Sequence, residues 1–330
     1  MRLALVLAFV LRRILQSAFV LALVAFIAFG LFNFTGDPVT FMAGQEATAA
    51  DKARLRAELG LDQPFYVQFG RFAGNAVRGD FGLSLRQGRK VATLLEERLP
   101  ATLELAFTAS VLALVVGIPL GVYTALRRDG VLAHVLLASS LVGVSLPTFL
   151  IGILLILVFA VQLGWLPSFG RGDTVAIGWW TTGLLTASGR KALVLPAITL
   201  SLFPLTLIMR LVRAEMLEVL RTDYIKFARA RGLPERAIHF GHALRNTLVP
   251  VITITGLQLG AIIAFAIITE TVFQWPGMGL LFIQAVNFSD VPVMAAYLCF
   301  IALVFVAINL VVDLLYYAVD PRLHVERIAH

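Results

Sequence analysis

The stretch RTDYIKFARARGLPERAIHFGHALRNTLVP, residues 221–250, decides how the rest of the chain is read. Basic residues recur every few positions, a Gly-Leu-Pro stands mid-segment, and an uncharged run begins at 246. Read as a helix, Met216, Leu220, Tyr224, Phe227 and Ala228 keep the spacing of one apolar face. Arg221, Lys226 and Arg229 lie largely off it. Gly232 falls where a left-handed C-terminal cap belongs, and Pro234 suits the first turn of a second helix running through His242. The segment predicts two short helices across a tight bend, with one basic surface and one made of apolar and small residues.

What flanks the bend is apolar. Hydrophobic residues make up 59% of the 330-residue chain and charged residues 14%, about half the charged share of ordinary soluble chains. Uncharged runs cover 14–32, 105–126, 135–167, 192–209, 246–269 and 291–312. Each holds about 18 residues or more, enough at about 1.5 Å per residue to cross a hydrocarbon core of about 30 Å. Backbone groups in lipid must be satisfied within the segment, so the runs predict six membrane-spanning helices. A seventh uncharged run, 174–187 (TVAIGWWTTGLLTA), is too short and predicts an interfacial or protein-buried segment. The first run follows Arg2, Arg12 and Arg13 like a signal peptide, but it is long and leads into NFTGDP, so an uncleaved anchor is expected. Cys299, the single cysteine, sits in the sixth run and reads as a small buried apolar residue.

Charge gives sidedness. Arg2, Arg12 and Arg13, Arg127 and Arg128, the run from Arg213 to Arg245, and Arg322 and Arg327 all fall on one side of a six-span arrangement, whereas residues 270–290 carry no basic residue. Short basic loops stay cytoplasmic, so both termini and the bend are expected there. The net charge of +7 is accounted for by sidedness and anionic lipid, without nucleic acid. Residues 33–100 form the one sizeable extramembrane segment. ATAADKARLRAELGLDQP and PFYVQFGRFAGNAVRG read as short amphipathic helices, the second with Phe65, Phe69 and Phe72 on one side. GDFGLSLRQGRKV after them is turn-rich, and the segment reads equally as a cap or a binding surface. Gly117 and Pro119, Pro147 and Gly152, Pro196 and Pro204, and Pro250 and Gly256 place helix breakers inside spans. Such residues suit either a bundle that rocks or close helix packing.

Missing chemistry narrows function. The middles of the six runs hold none of the ionisable residues on which secondary transporters and proton pumps rely, and Glu270 and Asp313 read as span ends where a charge costs little. His239 and His242 are spaced i, i+3 but show no evident carboxylate or cysteine partner, so no metal is expected. Ser145 in GVSLP lacks a histidine in a later span to act as base, which leaves an intramembrane protease without its catalytic pair. No Gly-Lys-Ser/Thr phosphate loop occurs, so any ATP-driven transport needs a motor on another chain. By residues alone the bend is either an interfacial hairpin on anionic lipid or a lever that receives force. An ATP-independent channel or facilitator, its basic loop binding only lipid, stays open beside an energised transporter.

At this point the wording of the chain matters. DYIKFARARGL, HALRNTLVPV, GDFGLSLR, ERLPATLELA, SLPTFLIGILLILVFAVQLGWLPSFG, VLPAITLSL, ETVFQWPGMG and DPRL resemble, in order and over nearly the whole length, the dipeptide/oligopeptide branch of bacterial ATP-binding-cassette importer permeases. The likeness is to the first of that branch's two permease subunits. The chain departs from the general family pattern of Glu-Ala-Ala, three residues, Gly, nine residues and Ile-x-Leu-Pro, keeping only Ala228, Gly232 and Leu244.

The resemblance implies an all-α polytopic membrane protein of the type I ABC importer permease kind: six transmembrane helices, with a helical external loop between spans one and two. Residues 1–32 would be the cytoplasmic end and first span, 33–100 a periplasmic helical loop, and 101–330 a five-span core. The spans would lie at about 103–126, 135–162, 192–212, 246–270 and 291–319, with a cytoplasmic coupling loop at 213–245. It further implies that the bend at 223–236 is a coupling helix docked on a separate ATPase through Asp223, Tyr224, Ala228, Arg229, Ala230, Gly232, Pro234 and Arg236. The implied partners are a second homologous permease, two ABC ATPases carrying ATP and magnesium, and a periplasmic or lipid-anchored solute-binding protein. The chain itself would hold no cofactor, would not be an enzyme, and would sit in the bacterial inner membrane with membrane lipid around it. Small peptides are the expected cargo.

Overall fold

The computed structural model describes residues 2–35, 39, 48–58 and 60–319. The DPRL motif and the basic tail residues Arg322 and Arg327 lie outside the described residues. The order is α1 (Arg2–Thr35), α2 (Ala49–Glu58), α3 (Phe65–Val77), α4 (Val91–Leu126), α5 (Val131–Ser145), α6 (Thr148–Leu155), a π-helical segment (Ile156–Gln162), β1 (Val175–Ile177) and β2 (Trp180–Thr182). Then come α7 (Ala187–Val219), α8 (Asp223–Ala230), a second π-helical segment (Ala237–Ala243), α9 (Leu244–Val272), α10 (Met278–Asn287) and α11 (Val291–Val319). Among the described residues five helices are long and apolar enough to cross a membrane, and six spans result if the bent pair α5 and α6 with its π-helical extension counts as one. Large apolar side chains such as Phe19, Val115 and Phe265 stay exposed along these helices, as a surface solvated by acyl chains requires.

The third run differs from the single helix expected over 135–162. It breaks at Ser145–Pro147, and the two halves meet at 109°. Pro147 has no N–H to donate to the turn before it, and its ring collides with the preceding turn. It opens the next helix instead, its carbonyl accepting from the N–H groups of Leu150 and Ile151 at 3.0 and 3.2 Å. The short 174–187 run contains an antiparallel hairpin, pairing Val175 with Thr182 and Ile177 with Trp180.

The chain divides into two compact units. The first comprises 1–101 and 276–307. Phe65, Phe69 and Phe72 share one face of α3 as expected, and all three meet Phe29 of α1 at ring distances of 5.2–5.9 Å. Val91, Leu94 and Leu95 of α4 pack with Met278 and Leu281 of α10 and with residues 293–297 of α11. The turn-rich segment is pinned by one acid. Asp290, buried at the entrance to α11, accepts from the hydroxyl of Ser84 and from the backbone N–H groups of Leu85 and Arg86. The Arg86 guanidinium lies 3.5 Å over the Phe288 ring.

The second unit comprises 102–275 and 308–330. Here α4 and α7 approach closely because Gly117 and Gly121, four residues apart, carry no side chain. A Cβ on Gly117 would lie 3.0 Å from the Leu205 carbonyl, and one on Gly121 2.7 Å from the Met209 carbonyl. Gly117, which the sequence offered as a helix breaker, thus acts in close packing. Pro196 and Pro204 are both accommodated within α7, which runs unbroken from its N-cap. That cap is Thr186, whose hydroxyl oxygen accepts from the Gly189 N–H at 3.0 Å.

Buried polar residues at the hairpin end of this unit correct the sequence reading. Glu270 does not sit at a cheap interfacial position: it is fully buried and accepts from the Thr102 hydroxyl at 2.6 Å. Two residues beyond Thr102, buried Glu104 pairs with buried Arg171 and also accepts from the Gly183 N–H at 3.1 Å. Arg171 donates further to the Thr181 side chain and carbonyl at 3.1 and 2.7 Å. One ion pair therefore fastens the hairpin to α4.

Candidate functional site: the basic bend between α7 and α9

Helix α7 stops at Val219, and Leu220–Thr222 form a turn, with the N–H groups of Arg221 and Thr222 bonding back to the carbonyls of Glu218 and Val219. That interruption resets the helical phase. Met216 is buried as expected from the sequence, but the buried face of α8 is Ile225 and Ala228, not Tyr224 and Phe227. Ile225 and Ile238 are fully buried, and Ala243 and Val251 join them against Ala113, Val122 and Ala125 of α4 and Ile208 and Val212 of α7. Full burial of each isoleucine stabilises the bend by about 1.5–3 kcal/mol, so this short helix is anchored to three spans. Tyr224 is partly exposed, its hydroxyl accepting from the Asn246 amide at 2.6 Å. Phe227 is 64% exposed, with Arg231 near its ring at 5.8 Å.

The bend closes at Gly232, whose φ of +76° is the left-handed conformation that side chains other than glycine resist. The Leu233 N–H reaches back to the Ala228 carbonyl at 3.3 Å, and the Pro234 carbonyl accepts from Ala237 and Ile238 to open the next helix. That helix begins with π winding over Ala237–Ala243 before ordinary α geometry takes over in α9. The glycine cap and proline start are where the sequence placed them.

Four charges on the bend are paired with one another. Lys226 donates to Asp223 at 2.8 Å, and this hydrogen bond holds the Asp223 carboxyl below its ordinary range. Arg229 donates to Glu235 at 3.0 Å and lowers that carboxyl likewise. The sequence showed no carboxylate partner for the histidines, yet His239 lies 3.0 Å from Glu235. Of the eight residues expected at a docking surface, Asp223, Tyr224, Arg229, Ala230, Gly232, Pro234 and Arg236 are exposed on the bend. Ala228, at 7% exposure, is turned inward, where its small side chain serves packing within the chain. Phe227 and Leu233 are exposed apolar residues that the sequence reading of this site left out. Their signal was available: two large apolar residues beside a glycine cap in a basic segment.

Two family models match the chain. One, described as the binding-protein-dependent transport system inner membrane component, covers residues 117–325, and its N-terminal companion covers residues 6–106. The dipeptide transport system permease protein DppB of Alkalihalophilus pseudofirmus is 37% identical, aligned over 96% of this chain and 99% of its own. The probable D,D-dipeptide transport system permease protein DdpB of Escherichia coli is 42% identical over 87% and 88% of the two chains. The glutathione transport system permease protein GsiC of E. coli is 38% identical over 96% and 98%. Among solved structures, a chain of the inward-facing methionine ABC transporter MetNI superposes with a TM-score of 0.56 at 21% identity, covering 69% of this chain and 96% of that one, a likeness of fold. The chain belongs to the inner-membrane components of binding-protein-dependent transport systems, the ABC importer permeases, in the branch that holds the dipeptide and glutathione permeases just named.

Proposed function

We propose that this chain is the permease subunit of an ATP-driven importer of small peptides and that α8 with its Gly232 bend is where an ATPase pushes. The supporting observation is the two-sided bend. Ile225, Ala228 and Ile238 root it among spans, while Tyr224, Phe227, Leu233 and the paired charges stand outward. Force applied to that outer face passes directly into α7 and α9, the helices on either side of it. Two ABC ATPases holding ATP and magnesium supply the force, one on this chain and one on a second homologous permease. The two permeases alternate between inward- and outward-open arrangements as packed bodies. A periplasmic or lipid-anchored binding protein delivers the peptide, and residues 33–100 face it. Both termini and the bend are cytoplasmic, in accord with the basic loops.

Two experiments test this. Tagged chain extracted in mild detergent from its own host is expected to bring down a Walker-type ATPase and a second permease. Elution alone after crosslinking would put an ATP-independent channel in first place. Gly232→Val places a β-branched residue at φ +76°, which any side chain there finds strained. ATP-dependent dipeptide uptake is expected to fall about tenfold or more at unchanged chain abundance, the arithmetic of about 1.4 kcal/mol. Survival of uptake in that variant and in an Asp223→Ala/Arg229→Ala variant would show that coupling occurs elsewhere.

A further inference from the structure

Beside the bend lies a cavity of about 500 Å³, and of its lining only Arg229 belongs to the docking surface. Four arginines line it, Arg127 and Arg128 after α4 and Arg221 and Arg229 around α8, together with His239. Asp129 is the one acidic residue in its lining. Arg128 is paired with Asp129 and Arg229 with Glu235, whereas Arg127 and Arg221 enter no ion pair among the described residues. Guanidinium groups converging on one concavity with too few carboxylates make a site for an anion, and the planar donor fork suits phosphate oxygens in particular. Gly130, from which α5 starts, is also in the lining, and a helix start adds positive potential there.

The surroundings select the source of the phosphate. Leu126, Leu217 and Leu220 form an apolar wall to the cavity, and Val131 and Leu132 next to it are exposed just ahead of the uncharged run at 135–167. A free anion has no use for that wall, but a phospholipid does, because its glycerol and first methylenes follow its phosphate. We infer that this cavity holds the headgroup phosphate of an anionic phospholipid between the end of α4 and the bend. The bound lipid ties Arg127 to Arg221 and steadies the side of the bend that internal ion pairs leave unsatisfied. This rests on the chain's membrane placement and not on the ATPase assignment, which the uptake assays above read separately.

The test is lipid retention by the detergent-purified assembly in native mass spectrometry. After delipidation, phosphatidylglycerol, phosphatidylcholine or inorganic phosphate is added back. Phosphatidylglycerol is expected to bind about tenfold tighter than phosphatidylcholine. Arg127→Gln/Arg221→Gln, two exposed positions at which folding is not at stake, is expected to weaken it about thirtyfold, the loss of about 1 kcal/mol of attraction to an anionic lipid for each arginine. Asp129→Asn, removing the acid from the lining, is expected to tighten it severalfold. Arg78→Gln, exposed and outside the lining, is expected to change nothing. Equal affinity for the two lipids, or an unchanged affinity in the double variant, would overturn the assignment. Displacement of phosphatidylglycerol by millimolar inorganic phosphate would overturn the lipid source and leave a free-phosphate site.

Discussion

At the scale of single residues, the energetic weight falls on groups that hydropathy overlooks. Glu104 and Arg171 are both buried, and each is held by further hydrogen bonds to the hairpin. Desolvating two charges offsets much of their attraction, so the pair as a whole adds little stability, but removing one partner strands the other. Glu104→Gln should therefore destabilise the chain by about 3 kcal/mol, read as a lower unfolding midpoint in detergent. Glu104→Leu/Arg171→Met should recover most of the loss. An unshifted midpoint in the single variant would mean that the pair is not structural. None of this was legible beforehand, because residues 67 apart give no local signal. Glu270 was misjudged for a related reason. Its position at the end of an uncharged run says where the run stops, not what covers it.

At the scale of elements, the sequence was a better guide where a local steric rule decides the outcome. Gly232 and Pro234 announced the bend, and the chain turns there through a positive φ. Periodicity failed one turn earlier, because projecting a single helix from Met216 to Ala228 ignores the break at Leu220–Thr222. Pro147 was recognised as a breaker, but the size of the resulting bend depends on packing rather than on proline alone. Helix pairing was likewise invisible: Gly117 and Gly121 could equally have weakened α4. In the fold they form its contact with α7, and Gly121→Leu would drive a side chain toward the Met209 carbonyl and the Val212 Cβ, only 2.6 Å from the added Cβ. That change should cost about 1–3 kcal/mol and lower the unfolding midpoint, and Gly70→Ala, where a Cβ meets nothing within 4 Å, is the matched control.

At the scale of the whole molecule, the broad architecture was readable because a membrane imposes a length and a composition that soluble folds do not, and the family was readable from motifs such as DYIKFARARGL and ETVFQWPGMG that resemble it. The assembled importer should also show a specific indifference to acid. Asp223 and Glu235 have lowered folded-state pKa values, caused first by hydrogen bonds from Lys226 and Arg229. A depressed carboxyl contributes stability that is present above its unfolded pKa and is lost only as pH falls through the folded one. Both pairs on the bend consequently stay ionised across the working range. Uptake by the reconstituted importer should keep its ATP coupling ratio from about pH 8 down to about pH 5. A fall in that ratio near neutrality would assign the titration to groups other than these two acids.

The π winding of Ala237–Ala243 carries a consequence for how this protein can vary in length. A π turn accommodates one residue more than the α ladder on either side of it. Deleting a single residue there would restore the α ladder and leave the chain upstream close to its present bearing, whereas deleting one from the α-wound stretch that follows would swing that chain by about 100° about the helix axis. In the second case Tyr224, Phe227 and Leu233 would keep their identities and lose their bearing, and Ile225 would be rotated out of its seat. Exposed turns are the usual places where chains gain and lose residues across generations. In this one, freedom of length is confined to the π turn, and the register of the α-wound residues after it fixes the compass heading of everything the bend presents.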